Sequence, residues 1–157
     1  PDVTLQTQTG AHIALSSLRG RWLVIDFIYV RCPTVCLALG NEFSRLQQYL
    51  ADPIAQNKVT LLSISFDPDY DTPLELRNYL ERSDSHGSGW LAARPIDAPG
   101  LRQLLQRFRV TVIADPFGGY THNAAIYIVD PQGQLVEIMD QGDPEHVAQL
   151  VQQRLQQ

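Results

Sequence analysis

Cys32 and Cys36 are the only cysteines of this 157-residue chain, set four apart in Arg31-Cys32-Pro33-Thr34-Val35-Cys36 directly after the apolar run Trp22 to Val30. A strand that empties into a Cys-x-x-x-Cys helix start puts two thiols at the mouth of an α/β sheet, where helix N-termini and loops gather ligands. Residues four apart on a helix share a face, with Cβ atoms roughly 5 to 6 Å apart. Taking a metal–sulfur distance of about 2.3 Å as a guide, two such thiolates can hold one ion and leave room for a third ligand. A disulfide asks for Cβ atoms about 3.5 to 4.5 Å apart, so oxidation needs local distortion of the first helical turn. The helix N-terminus and Arg31 both favour the thiolate form. Soft thiolates select Cu(I), zinc or iron–sulfur centres. The plainer alternative is a small apolar pair or an incidental disulfide.

The rest of the composition narrows the classes. A chain of this length fits one domain, 1–157, and can bury a continuous core without disulfide staples. Its hydrophobic content is 44%, ordinary for a globular protein, and no apolar run approaches the roughly 20 residues that span a bilayer. Twelve basic against seventeen acidic residues give a net charge of −5. No Lys/Arg cluster tracks a phosphate backbone, which argues against nucleic acid as a partner. The acidic balance suits a basic protein or a cation, or serves solubility alone. The chain opens at Pro1 without a Met, a start compatible with a removed signal peptide or a membrane tether outside it.

The elements that must position the thiols follow from pattern. Val3 to Leu5 and His12 to Leu15 read as short strands around Thr9-Gly10, and Leu18-Arg19-Gly20 turns the chain into a strand over Trp22 to Tyr29. That strand is apolar almost throughout, as expected of one covered on both faces. Val35, Leu39, Phe43, Leu46 and Leu50 predict a helix over Thr34 to Leu50, with Pro33 suited to its first turn. Val59 to Phe66 reads as a second buried strand, and Thr72-Pro73-Leu74-Glu75 as an N-cap opening a helix to Arg82. A further helix is expected from Asp97 or Ala98 to Phe108. Ala124 to Val129 and Leu135 to Met139 flank the turn Asp130-Pro131-Gln132-Gly133 as an antiparallel hairpin. Asp143-Pro144 starts a last helix to Leu155. Trp22 and Trp90 are expected to pack, and His12, His86 and His146 to lie on the surface.

This order is that of an α/β, thioredoxin-like fold: a central mixed sheet flanked by helices, with an N-terminal β extension and a C-terminal β-hairpin plus helix. Over nearly its whole length the chain resembles the Sco/SenC copper proteins of cytochrome oxidase assembly. Four motifs carry the resemblance. They are Leu18-Arg19-Gly20 before the strand, Cys32-x3-Cys36 after it, Asp67-Pro68-Asp69-Tyr70-Asp71-Thr72-Pro73 after the second strand, and His122 five residues before Tyr127 in Ala125-Ile126-Tyr127-Ile128-Val129-Asp130. The chain departs from the family pattern at Leu37, where Pro is usual, and at Thr121, where an acid often precedes the histidine. Neither departure removes a ligand.

The resemblance implies that Cys32, Cys36 and His122 bind copper, as Cu(I) and Cu(II), with the imidazole completing a set suited to either state. It implies a metallochaperone for the dinuclear copper centre of a respiratory oxidase. Its partners would be the oxidase copper-site subunit and other copper chaperones. The setting would be periplasmic, soluble or membrane-anchored, or else the mitochondrial intermembrane space, and the chain is expected to be a monomer. Asp67, Asp69 and Asp71 are expected to shape a loop and cap the next helix, with a role in steering a cation as the alternative. Asp26 stands six residues before Cys32, the offset at which thioredoxins carry an acid that assists proton transfer. It is either a satisfied structural acid or a redox helper. A rival reading is therefore a thiol–disulfide oxidoreductase using Cys32 and Cys36, and a third is a redox or copper sensor. Ala124 stands where thioredoxin-like reductases carry a cis proline, and Tyr29 and Pro33 occupy the positions of the Thr or Ser in a peroxidatic motif, which disfavours a peroxidase.

Overall fold

The computed structural model describes residues 2–32 and 35–157, with the side chains of Val35 and Cys36 outside that description. Strands β1 (Thr4–Thr7) and β2 (His12–Ala14) lead through a 3-10 turn (Leu15–Leu18) into β3 (Trp22–Ile28). Then come α1 (Val35–Tyr49), the short α2 (Ala51–Ala55), β4 (Val59–Ser65) and α3 (Pro73–Arg82). The second half runs β5 (Trp90–Pro95), α4 (Ala98–Arg107), β6 (Val112–Ala114), β7 (Tyr120–His122), β8 (Ala125–Val129), β9 (Leu135–Asp140) and α5 (Pro144–Leu155).

Seven strands form one mixed sheet in the order β2-β1-β5-β4-β3-β8-β9, and β6 pairs with β7 as a separate hairpin. β3, β4 and β5 are parallel to one another, and β8 and β1 close the two sides antiparallel. The register sets Asp26 beside Ser63 and Ser63 beside Ala92. Side chains alternate along a strand, so Asp26, Ser63, Ala92 and Trp90 share one face. α1 and α3 cover it: Phe43 and Tyr79 pack on the Trp90 ring at centroid distances of 5.8 and 6.4 Å. Ile25 and Phe27 face the other way, where Phe27 meets Phe108 and Tyr127 at 5.4 and 5.5 Å. The near-continuous burial of β3 and β4 follows from these two covers. Gly40 lets α1 approach α3, because a Cβ there would lie 2.5 Å from Ser83 Oγ.

Most elements match the sequence reading. The α3 N-cap is Thr72, whose side chain accepts from the Glu75 N–H, with Pro73 in the first turn. Strand β5 was not predicted: Ala92-Ala93-Arg94-Pro95 carries little strand propensity, and its place depends on long-range pairing with β4 and β1. The hairpin β6/β7 was likewise unpredicted, being two three-residue strands. Pro33, expected in the first turn of α1, lies outside the described residues. Trp90 packs as expected, and His12, His86 and His146 are exposed.

Phe43 is fully buried between α1 and the sheet. Phe43→Ala should cost about 3 to 5 kcal/mol through lost transfer energy and a residual cavity, measured as a lower urea midpoint with unchanged m-value.

Candidate metal centre

Parallel β3 and β4 release their C-terminal loops side by side, and the site is built where they emerge. After β3 the chain turns so that the Cys32 N–H donates to the Tyr29 carbonyl at 3.0 Å, leaving Cys32 buried. Two acids of the loop after β4 hold this turn. Asp71 Oδ2 accepts from the Val30 N–H at 3.1 Å and from the Ser65 hydroxyl at 2.7 Å. Asp67 Oδ2 pairs with Arg31 at 2.7 Å, and the Asp67 N–H donates to Ser65 Oγ. The Arg31 guanidinium, expected to favour a thiolate, is thus taken up by Asp67 and lies over the Tyr70 ring, 4.2 Å from its centroid. Asp69 stays exposed. The three acids therefore divide: two shape the cysteine loop and one faces solvent. Burial pushes Asp71 up to about 6, against the bonds from Ser65 and Val30 that favour its ionised form.

His122 arrives from the far half of the chain on β7, where it pairs with Val112. Its imidazole packs on Phe66 at 4.9 Å and meets the edge of Tyr29 at 6.0 Å, within a cluster completed by Tyr120. Nδ1 lies 3.2 Å from the Asn123 carbonyl. A carbonyl only accepts, so this contact puts the proton on Nδ1 and leaves the lone pair of the neutral ring on Nε2. Burial lowers the His122 pKa from its ordinary value, which keeps the ring neutral and able to bind a metal.

Tyr29 links the two segments: its carbonyl accepts from the Cys32 N–H, and its ring meets the His122 imidazole. Cys36 stands in the first turn of α1, and its thiol lies outside the described residues. Among the described residues, a set without that thiol, no three His, Cys, Asp or Glu side chains converge as a metal site. Thiolate and imidazole are donors that suit copper or zinc, and hard cations far less.

Asp26 lies beneath α1 on the other side of β3's end. It is fully buried, and neither carboxyl oxygen has a hydrogen-bond partner among the described residues. Ser63, its neighbour in register, accepts the Trp90 indole N–H at 3.0 Å, and its hydroxyl eases the ionised form without reaching hydrogen-bond geometry. Burial pushes the Asp26 carboxyl up to about 8, with a smaller contribution from Glu42. Sequence reasoning missed Glu42. Its Oε1 accepts the Gly142 N–H at 2.8 Å, Oε2 is buried without a partner among the described residues, and burial raises its pKa. The signal was present: Glu42 falls three residues after Leu39 and four before Leu46, on the apolar stripe of the helix. Tyr120, Phe66 and Ser65 were also missed, since no local pattern marks which distant rings and hydroxyls will meet.

The model of the SCO1/SenC family matches residues 1–156. This chain belongs to the SCO1/SenC family. It is 26% identical over 137 residues to the SCO1 protein homolog of Bacillus subtilis, covering 85% of this chain and 69% of that protein. Against the mitochondrial SCO1 protein of Saccharomyces cerevisiae it is 27% identical over 143 residues, covering 86% of this chain and 46% of that protein. The chain thus spans only part of these relatives. The solved structure of Bradyrhizobium japonicum ScoI with copper bound superposes with a TM-score of 0.81 at 26% identity, covering 98% of this chain and 97% of that one. The thioredoxin-like fold expected from the sequence is the fold of this SCO1/SenC protein.

The raised acids set a pH dependence. An unfolded Asp ionises near 3.9, so between that value and about 8 folded Asp26 keeps a proton that the unfolded chain has lost. Stability should therefore fall as pH rises through this window, by up to about 1.4 kcal/mol per unit per group, and level off above it. Asp71 contributes in the same sense up to about pH 6. Asp26→Asn should flatten the fall between pH 6 and 8 while matching the wild type near pH 4, read from urea midpoints across pH. A variant that falls as steeply as the wild type would assign the dependence to other groups.

Proposed function

We propose that this chain is a copper-binding metallochaperone. In this reading Cys32, Cys36 and His122 hold copper as cargo and pass it to the dinuclear copper centre of a respiratory cytochrome oxidase. The observation that carries the reading is a neutral His122, with Nε2 as the lone-pair nitrogen, on a hairpin that the Tyr29 hydroxyl ties to the segment leading into Cys32. The SCO1/SenC membership and the copper bound by the B. japonicum relative support it. The two thiols lose their protons on binding, so loading is favoured as pH rises. Three protein donors leave the ion open to an incoming ligand, and delivery then proceeds by exchange of one ligand for another. Residues 1–157 act as one Sco-type domain, working as a monomer in the periplasm, free or tethered to the membrane, or in the intermembrane space of a mitochondrion. The partners are the oxidase copper-site subunit and the chaperones that supply copper.

The test is anaerobic titration of the reduced protein with Cu(I) against a strong chromogenic chelator. One tightly held copper per chain is expected. Cys32→Ser or Cys36→Ser should abolish tight binding, and His122→Ala should weaken it and alter the Cu(II) spectrum with the fold intact. Tight binding retained in both cysteine variants would move the site elsewhere.

A second reading rests on Asp26, a buried carboxyl without hydrogen-bond partners among the described residues, protonated near neutrality, beneath the helix that carries Cys36. In it the chain reduces a disulfide of a partner. One thiolate attacks a sulfur of the partner disulfide, breaking that S–S bond, and the partner's other sulfur leaves as a thiolate that takes the Asp26 proton. The second thiol then gives its proton to the Asp26 carboxylate and attacks the mixed disulfide, and the partner's remaining sulfur leaves as a thiolate protonated from water. The products are a Cys32–Cys36 disulfide and a reduced partner. Asp26→Asn should slow exchange with an oxidised dithiol partner about tenfold or more and remove the limb of the pH–rate profile near pH 8. An unaltered profile would leave Asp26 without a part in the exchange.

A further inference from the structure

We infer that Tyr29 is a positioning residue whose hydroxyl fixes His122 relative to Cys32 and so sets the gap that the cargo ion must bridge. The inference rests on the copper reading and deepens it. Tyr29 touches both halves of the site. Its carbonyl accepts from the Cys32 N–H at 3.0 Å. Its hydroxyl accepts from the Tyr120 N–H and donates to the Tyr120 carbonyl, both at 3.2 Å, across 91 positions of sequence. Its ring meets the Tyr120 ring edge-on at 5.1 Å and the His122 imidazole at 6.0 Å.

A phenol hydroxyl can donate and accept at once, and here it does both to one residue of β7, two positions before the histidine. This matters for β7, whose Tyr120 also donates from its own hydroxyl to Asp67 at the longer distance of 3.4 Å. The strand belongs to a two-stranded hairpin outside the main sheet, and an isolated hairpin is marginal in water. The turn before β7 is shaped to the same contact. Gly119 has φ +79, a conformation other residues rarely adopt, and a Cβ there would lie 3.1 Å from the Tyr29 hydroxyl. Phe66 braces the other side of the imidazole but offers no hydrogen bond. A ring without the hydroxyl would keep the packing and lose both bonds to the Tyr120 backbone.

Tyr29→Phe isolates that hydroxyl. In the metal-free protein, hydrogen exchange of the Tyr120 amide should speed about tenfold while amides of β3 and β4 keep their protection, as expected for one lost bond in a local opening. In the copper-loaded protein, the Cu(II) paramagnetic resonance and visible spectra should shift toward those of His122→Ala, and Cu(II) affinity should drop about fivefold to tenfold. In a His122→Ala background, Tyr29→Phe should change the spectra no further, because it acts through the histidine. Thermal unfolding of the metal-free variant checks that the fold persists. Wild-type spectra together with wild-type exchange at Tyr120, or an effect on copper that survives in the His122→Ala background, would overturn the inference and leave the ligand assignment standing. A His122→Ala variant with unchanged copper spectra would instead remove the ligand assignment itself, and the positioning role with it.

Discussion

The parallel pairing of β3 with β4 is the constraint from which the site follows. Two parallel strands send their C-terminal loops out at one edge of the sheet, so the turn that carries Cys32 and the acid-rich loop after Ser65 are forced to be neighbours. Such loops expose backbone donors and acceptors that no strand can satisfy. Asp71 resolves part of that problem by taking the Val30 N–H, and Ser65 passes a further bond to the loop by accepting the Asp67 N–H. The acidic motif is thus a structural clamp on the cysteine turn through Asp67 and Asp71.

The same sheet carries a cost that its architecture makes visible. β3 is buried on both faces, yet Asp26 sits in its middle without a hydrogen bond from any described residue. Its neighbour Ser63 is held by Trp90, and the nearby acid Glu42 adds repulsion. Neutralisation by proton uptake is the cheaper state for such a group than a buried, unpaired charge. The fold therefore keeps a protonated acid beneath α1 at neutral pH, where an apolar side chain would pack with less loss. Glu42 stands differently, because one of its oxygens ties α1 to the entry of α5 through Gly142.

Legibility in the sequence tracked how local each signal is. β3 and β4 were readable because each is a short stretch rich in apolar and β-branched residues, and α3 and α5 because their caps are written in adjacent residues, Thr72-Pro73 and Asp143-Pro144. α2 is a single short turn containing Pro53 and carries no periodic stripe. β5 escaped because Arg94 and Pro95 look unlike a strand and its pairing spans more than 80 residues back to β1. In the site, the Cys-x-x-x-Cys spacing and the family motif around His122 were visible, and Asp26 was conspicuous as a charge in an apolar run. The Tyr29 to Tyr120 bond was not, since a hydroxyl reaching across half the chain leaves no trace in local pattern.

That division has a consequence for how a cargo ion would be held. Cys32 is buried where the chain leaves β3, whereas His122 rides on a small hairpin fastened chiefly by side chains. Losing a loosely mounted third donor weakens the hold on an ion without unfolding anything else, because the openings of lowest free energy are those that break few buried contacts. A carrier needs its weakest ligand to be the one that can leave first. On the copper reading, the imidazole is the donor mounted outside the main sheet, on the smaller element, where the rings of Tyr29, Phe66 and Tyr120 pack around it and one another.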